Sequence, residues 1–243
     1  MHQKSEGIVL RAVKCTNGTT ILDLYTSAIG RMQCSIGKRG AAHNKGYGMT
    51  TMPLSVLNIE YEVHHTAPIQ RLKEWRLAYT PTETPFHPFK GSIALFVAEL
   101  LLRTVYEQEA NPALFAFIKQ SVIALDQCQR GVANFHLVFL MHLAHFLGIY
   151  PNLTTYEEGK LFHLEEAEFM ATTLSEGNPL YLGTAEAKAL VQLARLSYRT
   201  MHLFAMNREQ RNRSLALMMD YYRIHLPGMG ELRSIEILQQ LFV

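Results

Sequence analysis

Glu6-Gly-Ile-Val-Leu-Arg-Ala-Val-Lys-Cys-Thr-Asn-Gly-Thr-Thr-Ile-Leu-Asp-Leu-Tyr-Thr26 decides the fold. Glu6–Val13 and Thr19–Thr26 are short runs rich in Ile, Val and Leu, and Asn17-Gly18 between them is a strong hairpin signal. The pattern continues outward. In Gly30–Gly37, Met32, Cys34 and Ile36 share one face. In Leu57–Val63, Leu57, Ile59, Tyr61 and Val63 alternate with Asn58, Glu60 and Glu62, the period of a half-buried strand. Ile69–Tyr79 supplies a fifth strand. Five short strands in about 80 residues suit a small closed barrel, which leaves no exposed sheet edge. The connection from Lys38 to Gly48 is rich in glycine and basic residues and reads as a loop.

Beyond the strands the pattern changes. Residues 81–88 hold Pro81, Pro85 and Pro88 and read as a linker, since proline suits neither helix interior nor ladder. Everything after it reads as helix. Ile93, Phe96, Val97, Leu100 and Leu101 recur at helical spacing, and Asn111-Pro112 opens a second helix. Asn134–Leu147 is a third, ended by Gly148. Residues 149–164 read as irregular and Glu165–Leu174 as a short helix. Thr184 begins a helix to about Phe204, and helices over Arg208–Ile224 and from Ser234 follow. The fold class is therefore α+β and multidomain: an N-terminal OB-type β-barrel over 1–80, the linker, and an all-α helical domain over 89–243.

Composition narrows the function. The chain is 48% hydrophobic and 18% charged, with a formal net charge of +2. It can bury a core and is not disordered by composition. Residues 1–80 carry ten Lys/Arg against five Asp/Glu, whereas the remainder carries thirteen against sixteen. A basic N-terminal part either meets a polyanion at that end or is an ordinary solvated surface, and an excess this modest does not by itself decide for the polyanion. Three cysteines, Cys15, Cys34 and Cys128, exclude a Cys-based zinc finger within one chain. No leader-like apolar segment opens the sequence, and no run is long and apolar enough to span a bilayer. A cytoplasmic protein is expected.

Catalytic patterns are missing. Arg39 follows Gly37-Lys38 where a P-loop needs Ser or Thr, and Met32 stands where it needs glycine. No dinucleotide fingerprint, nucleophile elbow or HExxH is present. His136, His142 and His145 share an apolar helix that holds no Cys, Asp or Glu, so no metal and no cofactor is expected. Glu157, Glu158, Glu165, Glu166 and Glu168 flank a loop and open a helix, where acids favour the positive end of the helix dipole. The expectation is that the chain is not an enzyme.

What remains is a basic barrel. Arg11 and Lys14 leave the first strand, Arg31 opens the third, and Lys38, Arg39, Lys45 and Tyr47 lie on the adjoining loop. An OB barrel that binds single strands needs positive charge for phosphates and aromatic faces for bases. Tyr25, Tyr47, Tyr61 and Trp75 are the aromatic candidates, with Tyr61 in phase with the core. Arg208, Arg211, Arg213 and Arg223 form a second basic cluster, which either extends the nucleic-acid track or pairs with acids such as Glu209 and Asp220.

Taken together these residues resemble the RecO family of recombination and DNA-repair mediators. Glu6-Gly-Ile-Val-Leu-Arg11 resembles its first strand, and Tyr25-Thr26 with Gly30-Arg31 its next landmark. Gly37-Lys-Arg-Gly40 matches its small basic loop, and Arg71-Leu-Lys-Glu74 the end of its barrel. Asn111-Pro-Ala-Leu-Phe115, Asn134-Phe-His-Leu137 with Phe146-Leu-Gly148, and Tyr222-Arg-Ile-His-Leu-Pro-Gly228 resemble its helical half. The last segment, through Leu232-Arg-Ser234 to Leu238, is most like Bacteroides-type versions. The resemblance implies a protein that binds single- and double-stranded DNA and anneals complementary strands. It implies RecR as a partner, and docking of the C-terminal tail of the single-stranded-DNA-binding protein (SSB), so that RecA loads on coated DNA. Such proteins act in the bacterial cytoplasm at the nucleoid. The tail's pocket would lie near Gln129–His145, with Arg130 and His136 as candidates. Many members hold a four-cysteine zinc site after the Phe-Leu-Gly helix. Here Ile149–Leu164 has no cysteine, so packing through Tyr150, Tyr156 and Phe162 must take the metal's place. The alternative is a non-catalytic interaction scaffold whose barrel does not bind DNA.

Overall fold

A computed structural model describes residues 2–37, 47–63, 66–171 and 180–241. Five strands close a barrel in the order β1-β2-β3-β5-β4: β1 His2–Lys14, β2 Thr20–Thr26, β3 Gly30–Ile36, β4 Val56–Glu62 and β5 Ile69–Leu77. Only β3 and β5 pair in parallel, and this pairing closes the barrel. The single-turn helix α1 (Tyr47–Thr50) lies between β3 and β4. The expected alternation holds in β3 and β4. Val9, Leu22, Leu24, Cys34, Ile36, Leu57, Ile59 and Tyr61 fill the interior. Each of the Val, Leu and Ile side chains among them, fully withdrawn from water, contributes about 1.5–3 kcal/mol. A bulge between Val9 and Arg11 changes the phase of β1, so that Arg11 and Val13 face outward.

The helices that follow are α2 (Pro88–Thr104), α3 (Pro112–Gln127), α4 (Phe135–Phe146), α5 (Thr184–Ala194), α6 (Arg208–His225) and α7 (Ser234–Leu241). The chain forms two compact units. One comprises residues 1–127 with Leu232–Leu238; the other comprises Cys128–Glu231 with the remaining C-terminal residues. Thus the proline-bearing segment 81–88 lies inside the first unit, not between units. Its backbone is tied down by Asp126, whose carboxylate accepts from the amides of Thr82, Glu83 and Thr84 at 2.9, 3.0 and 2.7 Å and from the Tyr79 hydroxyl at 2.8 Å. Buried Lys90 donates to the Asp126 carbonyl at 2.6 Å and to Glu83. α2 and α3 therefore belong with the barrel.

In the second unit α4 is apolar on every side, as its sequence requires of a central helix. Tyr222 of α6 reaches it with a 2.6 Å bond to the Leu140 carbonyl. Residues 165–171, expected to belong to a short helix over 165–174, are not helical, and 172–174 lie outside the described residues. Leu161–His163 (β6), Glu168–Met170 (β7) and Tyr181–Leu182 (β8) form a three-stranded sheet in the order β7-β6-β8. Glu165, Glu166 and Ala167 are the turn of the β6–β7 hairpin, with Ala167 at φ 56° and the Glu166 amide donating to the His163 ring. Phe169 packs edge-on to Tyr156 at 5.0 Å and against Phe162 at 4.9 Å, and Tyr150 stacks on His145. Those aromatic contacts hold the segment after α4 together. The helix from Thr184 also stops at Ala194, well short of Phe204, where Ser197 and Thr200 bond each other across a turn.

Candidate nucleic-acid interface

The outer wall of the barrel is built by strand register. Arg11 on β1 lies beside Asp23 on β2, which lies beside Gln33 on β3, which lies beside Ile69 on β5. The next row is Val13, Ile21, Ser35 and Arg71. Arg11 is 52% exposed and donates through Nε to Asp23 at 2.7 Å. Burial alone would raise the Asp23 pKa. The bonds from the Gln33 amide and Arg11, with the charges of Arg11 and Arg31, outweigh it and hold the carboxyl below its usual value. Asp23 is thus a fixed anion that orients Arg11 at the surface. Lys14 and Arg71 are exposed and, among the described residues, make no ion pair. In sequence Arg71 is marked only by the barrel-end segment Arg71-Leu-Lys-Glu74. The outward phase of β5 against β3 makes it part of this wall.

Two other expected residues are otherwise engaged. Arg31 is only 16% exposed, and its Nη1 donates to the carbonyls of Leu102 and Val105 at 3.1 Å each. A cation there complements the negative end of α2. The Arg31 amide also donates to the Glu107 carbonyl at 2.8 Å. Gly30 beside it has φ 69°, and a Cβ on it would lie 2.5 Å from the carbonyl oxygens of Glu107 and Glu109. The Gly-Arg landmark is a latch between the barrel and the end of α2. Tyr47 packs against the barrel core, its hydroxyl bonded to Thr20. Lys38, Arg39 and Lys45 lie outside the described residues.

The second basic cluster splits. Arg211 is half-buried and donates to Asn134 at 3.2 Å and to the Met206 carbonyl at 2.9 Å. Arg213 pairs with Glu186 and Arg223 with Asp220, each at 2.7 Å, and Arg208 donates to the Gln239 carbonyl. Arg130 is exposed. His136 is 1% exposed, and burial, with Arg211 nearby, drives its pKa down to about 3. It is a neutral core residue and presents nothing to a docking peptide. His142 bonds the Leu196 carbonyl, and His145 stacks on Tyr150. The same unit holds a half-open cavity of about 380 Å³ lined by Met141, Phe162, Leu190, Leu217 and Met218, with Arg213 and Glu186 among its polar lining. No local sequence pattern marks this cavity, because its wall comes from six separate segments. Among the described residues no three of His, Cys, Asp and Glu gather as a metal site would need, and no helix is long and apolar enough to cross a membrane.

A family model described as "Recombination protein O C terminal" matches residues 86–234. The chain is 39% identical over 242 residues to the DNA repair protein RecO of Bacteroides fragilis strain ATCC 25285, with 100% of both chains covered. It is 38% identical to that of Phocaeicola vulgatus and 26% identical to that of Azobacteroides pseudotrichonymphae, again with 100% of each chain covered.

Proposed function

This chain belongs to the RecO family of DNA repair proteins, and on that footing we propose that it is a non-catalytic recombination mediator. It binds DNA, anneals complementary strands and, with RecR, helps RecA load on single strands coated by SSB. It does so in the cytoplasm, at the nucleoid. The observation that carries this reading is the closed five-stranded barrel whose outer wall exposes Arg11 and Arg71, with Lys14 exposed at the end of β1. The β2–β3 face of such barrels is where oligonucleotides lie. The barrel serves nucleic acid, and the helical part serves partner proteins. An SSB tail is acidic and ends in apolar residues, so it needs an apolar pocket with a cation at its opening. The 380 Å³ cavity, with exposed Arg213 paired to Glu186 in its lining, supplies an apolar pocket and a cation that an acidic tail could take over, where buried His136 does not.

The test is annealing of complementary fluorescent oligonucleotides, bare and SSB-coated, with and without this protein. Acceleration of both is expected. A protein that binds RecR yet accelerates neither is a scaffold.

A further inference from the structure

From residue 2 to 77 the barrel has four Phe, Tyr or Trp side chains: Tyr25, Tyr47, Tyr61 and Trp75. All four are committed to packing. Tyr25 is fully buried, its ring 6.3 Å from that of Phe115. Tyr61 sits in the barrel core and donates its hydroxyl to Gln3 at 2.9 Å. Tyr47 and Trp75 pack against the same core, Tyr47 bonded to Thr20 and Trp75 donating to Thr50 at 3.3 Å. The outer wall offers aliphatic and polar side chains instead: Val13 (43% exposed), Ile21 and Ile69, with Gln33 and Ser35. Arg11 stands at its β1 margin and Arg71 at its β5 margin. Along the curved surface over β2 and β3, three inter-strand steps of about 14 Å in all and one row of about 7 Å along the strands separate them.

Single-strand binders of this architecture combine a positive track with aromatic platforms for the bases. This wall has the track without the platforms. We infer that the barrel grips a single strand by its sugar-phosphate backbone, between Arg11 and Arg71, and leaves the bases unstacked on protein and open to a complementary strand. The inference rests on the DNA binding proposed above. It gives annealing a physical basis, because a base stacked on a side chain must be released before it can pair.

Thymine reactivity tests it. Permanganate attacks the face of an unstacked thymine, and stacking on an aromatic ring shields that face. Oligo(dT) is saturated with the full-length protein, occupancy being read by anisotropy, and then oxidised. Bound thymines are expected to react within about twofold of free ones, and emission from the sole tryptophan, Trp75, to stay unchanged. Arg11→Ala and Arg71→Ala should each lower the slope of log affinity against log salt by about one. Several-fold protection at saturation, or quenching of Trp75, overturns the inference while leaving DNA binding intact. An unchanged slope in Arg71→Ala overturns the assigned face. No binding at low salt overturns both this inference and the reading it rests on.

Discussion

Replacing Asp126 with alanine should unravel the junction between the barrel and its first helices. The carboxylate is fully buried and accepts five hydrogen bonds: three from backbone amides at 82–84, one from Tyr79 and one from the Thr82 hydroxyl at 3.1 Å. Hydrogen bonds to a charged acceptor contribute about 1.5–3 kcal/mol each, and stranded donors carry a desolvation cost. Thr82 is exposed and its neighbours are half-exposed, so water replaces part of the loss. A destabilisation of about 3–4 kcal/mol remains. For a chain of this size that lowers Tm by about 6–16 °C. Asp126→Asn keeps one acceptor oxygen and should lose about half as much. Burial opposes ionisation of Asp126, but the amide and Tyr79 bonds prevail and hold its pKa well below the usual carboxylate range. A group so depressed stabilises the fold fully above its unfolded pKa of about 4 and loses that contribution as pH falls further. Thermal melts followed by circular dichroism at pH 7 and at pH 3 measure both effects. A Tm within 2 °C of wild type in Asp126→Ala at pH 7 would refute the assignment of Asp126 as the anchor of residues 79–84.

Three further outcomes are expected. Gly30→Ala must place a Cβ against two backbone carbonyls at a positive φ, so a loss of about 3 kcal/mol or more is expected in urea unfolding. Arg31→Ala should lower stability while leaving the salt slope of DNA binding unchanged, because its guanidinium is bonded to protein carbonyls; a slope reduced by one would return Arg31 to the DNA face. His136 should stay neutral well below pH 6 by NMR titration. Since only the unfolded chain takes up that proton below about pH 6.5, the residue removes about 2 kcal/mol of stability between pH 6.5 and pH 5; titration near 6.5 in the native protein would contradict its burial.

The barrel was legible because its strands alternate and its first turn carries Asn17-Gly18. The five strands lie where the pattern puts them, within a few residues at each end. The sheet after α4 was not legible: β6, β7 and β8 are two or three residues long, too short for a period to show. Glu165-Glu-Ala-Glu168 imitates the acidic first turn of a helix, and only the left-handed Ala167 marks it as a hairpin turn. Arg31 shows the same limit at the site. Its partners are 71 and 74 residues away, so local pattern cannot distinguish a phosphate-seeking arginine from one that caps a helix. Arg71 was within reach of the sequence, because its phase opposite core residue Leu72 places it outside.

The most direct test of the central claim is anisotropy of labelled single-stranded DNA titrated with the full-length protein at several salt concentrations. A phosphate-gripping barrel should bind with little sequence preference and weaken steeply and log-linearly with salt, the slope falling by about one in Arg11→Ala. Binding absent at low salt, or insensitive to salt, would contradict it.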